Sequence, residues 1–173
     1  MADEKVPRVA YREPTEAEKR NYYAIYELVF DSHFSLSKKR SVMTAVFGYE
    51  AWSWRVVGIT EDAIRAIARN NFNKPARVLA RDHQLPRVTT YNKLFEKKMP
   101  FGEWWDWIWE NDQTTLMTNE EHHNKKNKSI SKTYKLDPHQ SYFVDAEVAG
   151  WHQTKRREGT LVQKLIEKHS IEI

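Results

Sequence analysis

The chain has 173 residues, 40% of them hydrophobic and 30% charged, with a formal net charge of +4. That is enough for one domain with its own core, too apolar for a disordered chain, and suited to a polyanionic partner. The absence of cysteine removes a disulfide scaffold, a thiolate zinc site and a cysteine nucleophile.

No run approaches the about 18 apolar residues that a membrane span needs. Residues 1–14 mix charges of both signs without an apolar centre, so a signal peptide is not expected and the cytoplasm is the default compartment. Residues 1–15 read as a flexible arm with Pro7 and Pro14. Thr15 followed by Glu16 and Glu18 marks a helix start. The apolar positions Tyr22, Tyr23, Ile25, Tyr26, Val29 and Phe30 then recur at helical spacing, as for a core-facing stripe. Lys38, Lys39 and Arg40 form a compact basic patch before a second apolar helix-like run over 42–54, with Gly48 as a break. Residues 55–58 read as a short connection.

Thr60 caps a helix over 61–70 that places Ile64, Ile67 and Ala68 on one face and Arg65 and Arg69 on another. Segment 58–72 therefore reads either as half of a helix-turn-helix or as a packing helix. A turn rich in asparagine leads into a strand over 77–83 that ends in Asp82 and His83, and Pro86 closes it. Residues 87–95 read as loop and then helix. Residues 101–112 form an aromatic helix whose Trp104, Trp105, Trp107 and Trp109 cannot all face solvent, which favours a core beneath the site over a base-stacking platform. Asn111 and Asp112 stop it. A second strand from Thr114 runs into a helix capped by Thr118, with Glu121 completing a capping box. A basic stretch follows with Lys125, Lys126, Lys128, Lys132 and Lys135. Residues 136–143 read as loop, then strand. Thr160 begins a final amphipathic helix with Leu161, Val162, Leu165 and Ile166, able to dock on the body or on a second copy.

The chemistry concentrates in the strand–strand–helix stretch. A carboxylate and imidazoles among lysines and arginines are parts for metal-assisted cleavage of a phosphodiester. Asp82 and His83 are strand neighbours, so their side chains diverge to opposite faces. His122 and His123 sit on the first turns of the following helix about 100° apart, so one of them faces the site; His122 is the choice and His123 the runner-up. Arg77, Arg81 and Arg87 flank this centre and suit a phosphate, as do Lys125, Lys126 and Lys128. His33, His139, His152 and His169 read as surface residues.

Arg81-Asp82-His83 with Pro86, then Leu116-Met117-Thr118-Asn119-Glu120-Glu121-His122 with a trailing Lys125, resembles the HNH endonuclease family. Its ββα-metal fold occurs in homing endonucleases, restriction enzymes, phage resolvases and bacterial toxins. The resemblance implies Asp82 and His122 as ligands of Mg2+ (or Mn2+), His83 as general base, and double-stranded DNA as substrate. Thr118 and Glu121 stand where many members carry the cysteines of a structural zinc knuckle. Near the place of the family's middle asparagine lie Asn111, Asp112 and Gln113.

The expectation is thus an α+β protein of a phage or its bacterial host. It comprises the arm (1–15), a helical module (16–75), a ββα-metal nuclease core (76–135) and a basic C-terminal extension (136–173) whose last helix is a candidate for making a homodimer. Two rivals stand beside it: a non-catalytic DNA-binding protein using segment 58–72 and the lysines, and an assembly protein using the tryptophan-rich segment as an interface.

Overall fold

A computed structural model describes residues 13–48, 50–72, 75, 77–124, 130–136 and 158–173. Among these the chain is α+β, with seven α-helices, one 3-10 turn and a four-stranded mixed sheet. Arm residues 1–12, the lysine positions 125, 126 and 128, and the loop and basic cluster over 137–157 lie outside the described residues.

Helix α1 (Glu16–Asp31) starts at the expected box: Thr15 Oγ1 accepts from the Glu18 N–H, and Glu18 Oε2 accepts from the Thr15 N–H. Helix α2 (Leu36–Phe47) begins on the basic patch, capped by Ser35, and ends at Gly48; the 3-10 turn Ala51–Trp54 follows. Helices α4 (Arg87–Glu96) and α5 (Phe101–Asn111) pack against α1 and α2. Their shared core is aromatic: Tyr26, Phe47, Trp52, Tyr91, Trp104 and Trp105 are buried together with Met43, Leu94 and Ile108. Trp104 and Trp105 are therefore core residues. The helical module differs from the expected 16–75, because half of its helices come from beyond residue 86. The aromatic stripe of α1 needs α4 and α5 to cover it.

Strand β1 (Val56–Thr60) falls where a connection was expected. With β2 (Leu79–His83), β3 (Thr114–Thr118) and β4 (Thr133–Lys135) it makes a sheet in the order β2-β3-β1-β4. β1 runs parallel to β3 and antiparallel to β4, and β2 pairs antiparallel with β3. The β2–β3 pair is thus not a free-standing hairpin, since β1 occupies the other edge of β3. Segment 58–72 is strand and then helix α3 (Glu61–Arg69), which removes the helix-turn-helix expectation. Ala63, Ile64, Ile67 and Ala68 of α3 are buried against Val56, Ile59 and Leu116.

The terminal helix α7 (Glu158–His169) packs on α3 and buries Leu161, Val162 and Leu165 in the same core. The apolar face that was a candidate for pairing with a second copy is covered within the chain. No helix among the described residues is long and apolar enough to cross a membrane.

Helix α6 (Asn119–Asn124) is only six residues long and depends on its anchor. Thr118 and Glu121 form the expected capping box, the Glu121 N–H donating to Thr118 Oγ1 at 3.1 Å and the Thr118 N–H to Glu121 Oε2 at 2.9 Å. The same carboxylate also accepts from the Thr60 hydroxyl at 2.8 Å and from the Ser131 hydroxyl and N–H at 2.6 and 3.1 Å. Burial alone would raise the Glu121 pKa, but these donors, Ser131 foremost, hold it below the ordinary carboxylate value. One side chain ties the ends of β1 and β3, the start of α6 and the approach to β4. Glu121→Ala leaves those donors unmatched and is expected to lower stability by about 2–3 kcal/mol in urea unfolding, more than Glu121→Gln. A change below about 0.5 kcal/mol would show that the cluster is not what anchors α6.

Candidate functional site

Register decides which side each candidate faces. In the β2–β3 pair, Leu79, Arg81 and His83 lie opposite Thr118, Leu116 and Thr114, while Ala80 and Asp82 lie opposite Met117 and Thr115. Alternation along a strand puts Arg81 and His83 on the face of Leu79 and Leu116, and Asp82 on the other. The structure keeps the expected divergence of Asp82 and His83.

On the Asp82 face, α6 returns His122 to the strand end. His122 Nε2 lies 3.4 Å from Asp82 Oδ1, with the carboxylate side chain 17% exposed and the imidazole 39%. The runner-up His123 is exposed, with its ring 5.5 Å from that of His122. Of the two histidines, His122 is the one that stands beside Asp82.

On the His83 face the neighbours are different. His83 Nε2 lies 3.1 Å from Asp112 Oδ1, with Asp112 fully buried and His83 12% exposed. The separation is that of a hydrogen bond, but the ring N–H is not aligned on the oxygen, so the contact is first of all electrostatic. Asp112 also accepts from Arg87 Nε at 3.0 Å on the same oxygen and from the Ser53 hydroxyl at 2.5 Å on the other. A guanidinium N–H of Arg87 bonds Ser53 Oγ in turn. The Trp54 ring stands edge-on to His83 at 4.8 Å between centroids, and the Arg81 and Arg87 guanidinium groups lie 4.7 and 4.3 Å from the Trp54 ring.

This arrangement reassigns the arginines. Arg87 is committed to Asp112 and Ser53 and is only 14% exposed, so it is a structural partner and not the phosphate clamp expected of it. Arg81 is half-buried over Trp54; burial and the like charge of Arg87 push its pKa below the ordinary arginine value. Arg77 is exposed, with a backbone φ of 59°, and its carbonyl accepts from Asn119 Nδ2 at 2.6 Å, which pins the approach to β2 onto α6. Asn111, expected as a brace, bonds the Trp107 carbonyl at 2.8 Å and closes the end of α5.

The sequence reading missed Ser53 and Trp54 and noted Asp112 only in passing. Asp112 did carry a signal. A carboxylate at a helix C-terminus opposes the negative end of the helix dipole, so it needs cationic partners from elsewhere in the chain.

Asp82 Oδ1 and His122 Nε2, facing each other at 3.4 Å, are a carboxylate oxygen and an imidazole nitrogen of the types that would hold a divalent ion. Among the described residues no group of three or more histidines, aspartates or glutamates is placed to hold a metal. Water and substrate oxygens would have to complete the shell, which is the usual state of Mg2+. An open groove of about 470 Å3, lined by Asp62, Arg65, Arg69, Val78, Asn119 and Glu120 among others, lies apart and contains none of Asp82, His83 and His122.

No family model, curated protein or solved structure matches the chain.

Burial alone would raise the Asp112 pKa, but His83, then Arg87 and Ser53, hold it below the ordinary value of 3.8. A folded-state pKa below the unfolded one means that this carboxylate stabilises the fold above the ordinary carboxylate range and loses that contribution as pH falls through the folded value. Asp112→Ala strands the Arg87 guanidinium and the donors of Ser53 and His83 and is expected to cost about 3–5 kcal/mol in urea unfolding at neutral pH. The gap between wild type and Asp112→Asn should shrink as the pH drops below about 4. A gap independent of pH would contradict an ionised Asp112.

Proposed function

We propose that the protein is a metal-dependent DNA endonuclease of the HNH, ββα-metal kind, cutting phosphodiester bonds in double-stranded DNA at chosen sites. The observation that carries this reading is the meeting of Asp82 and His122. They come from β2 and α6, are separated by two helices and a strand in the chain, and lie 3.4 Å apart beside a strand-end histidine that faces the opposite side.

In this reading Asp82 Oδ1 and His122 Nε2 would hold Mg2+ or Mn2+, whose positive charge would offset that of the leaving oxygen. His83, on the adjacent residue, takes a proton from the attacking water. The new P–O bond forms from that water as the P–O3′ bond breaks, leaving a 5′-phosphate and a 3′-hydroxyl. Arg81, backed by Trp54, places a cation on the His83 side of the phosphate. The exposed Lys132 and Lys135, at the sheet edge away from β2, add positive charge of the kind that backbone contacts to DNA use.

The test is cleavage of supercoiled plasmid and phage genomic DNA with Mg2+ or EDTA. Discrete fragments that require the metal are expected. His83→Ala should lower the rate by about 10²- to 10⁴-fold while DNA still binds. Asp82→Ala and His122→Ala should each weaken the response to metal. Intact DNA with every metal, and binding retained, would replace this reading with that of a non-catalytic DNA-binding protein.

A further inference from the structure

The geometry points to Asp112 as a positioning residue for His83: its carboxylate keeps the imidazole proton on Nε2 and leaves Nδ1 as the nitrogen that accepts a proton from water. The catalytic consequence rests on the endonuclease reading; the tautomer itself does not.

A neutral imidazole has one N–H and one lone pair, and the partner of one nitrogen decides which is which. An ionised carboxylate offers only acceptor sites, so the nitrogen turned toward it has to be the protonated one. Nε2 is that nitrogen, 3.1 Å from Oδ1. The carboxylate is not free to rotate away. Arg87 Nε holds the same oxygen at 3.0 Å and Ser53 Oγ holds the other at 2.5 Å, with Asp112 and Ser53 fully buried. The hydrogen-bond donors around it and the positive charge of Arg87 keep Asp112 ionised despite burial. On the imidazole side, Trp54 stands against the ring and limits its rotation. Catalytic contacts that are misaligned without substrate, as that of Nε2 is, tighten when substrate binds. Arg87 and Ser53 thereby act on His83 through the carboxylate and not by touching it.

The test is long-range 1H–15N NMR of the full-length 15N-labelled protein about two pH units above the ordinary imidazole pKa of ~6.5, with His83 assigned by its loss in His83→Gln. Wild type should show the Nε2–H tautomer. Ser53→Ala, which removes a partner of the carboxylate but leaves Oδ1 in place, should show the same. Asp112→Asn should give a mixture of tautomers and lower kcat for DNA cleavage by about 10- to 100-fold with KM unchanged, because an amide can face the ring with either of its ends. An Nδ1–H tautomer in wild type would overturn the inference, and that result does not depend on whether Asp112→Asn folds. So would an unaltered tautomer in a folded Asp112→Asn protein. Absence of metal-dependent cleavage by wild type would instead overturn the endonuclease reading, while the tautomer of His83 still decides this one.

Discussion

A carboxylate cut off from water has to be matched by positive charge and hydrogen-bond donors, or the fold loses several kcal/mol. Asp112 is such a group, and the structure meets its demand from three other segments: Ser53 from the 3-10 turn, His83 from the end of β2 and Arg87 from the start of α4. These segments belong to different cores. Ser53 and Arg87 lead into the aromatic helical core, and His83 ends a strand of the sheet. Thr114 adds to the seam, its N–H and hydroxyl both donating to the Arg55 carbonyl. One buried charge therefore fixes how the helical layer meets the sheet, and the strand end carrying Asp82 and His83 is held at that junction.

Glu121 does the corresponding work at the other end of β3. It is also a buried carboxylate, satisfied by Thr60, Thr118 and Ser131, and it anchors a helix too short to stand alone. With α6 pinned, His122 projects to Asp82. In the proposed endonuclease, strand alternation would separate the two functions that phosphodiester cleavage demands. The pair suited to a cation lies on one side, and the histidine suited to a proton lies on the other. Neither carboxylate anchor needs to touch substrate. Each would act by fixing the element that bears a reacting group.

What could be read from the sequence follows from how far each interaction reaches along the chain. The capping boxes of Thr15 with Glu18 and Thr118 with Glu121 are contacts across three residues, and both were legible. So were β2, β3 and the helices, whose alternation or helical periodicity is local. β1 was not: Val56, Val57, Gly58, Ile59 and Thr60 form a short central strand, four of the five buried, with no alternation to betray it. β4 is three residues among lysines and exists through its pairing with β1. The division into an N-terminal helical module and a nuclease core failed for the same reason, since Val56 pairs with Thr114 across most of the chain's middle. Asp82, His83 and His122 could be chosen from residue type and strand geometry, but the Ser53–Asp112–Arg87 cluster depends on contacts 25 and 59 residues apart. Without those partners in view, Arg87 looked like a free phosphate ligand.

The central claim is that Asp82 and His122 form one cation site on the face opposite His83. Selective paramagnetic broadening tests it most directly: Mn2+ added in small sub-stoichiometric steps to the 15N-labelled protein, with the histidine ring signals followed by NMR. The account predicts that the His122 ring broadens first and that Asp82→Asn abolishes the selectivity, while His33 and His169 are unaffected at the same metal concentration. Uniform broadening of all histidines, or selective broadening that survives Asp82→Asn, would contradict it.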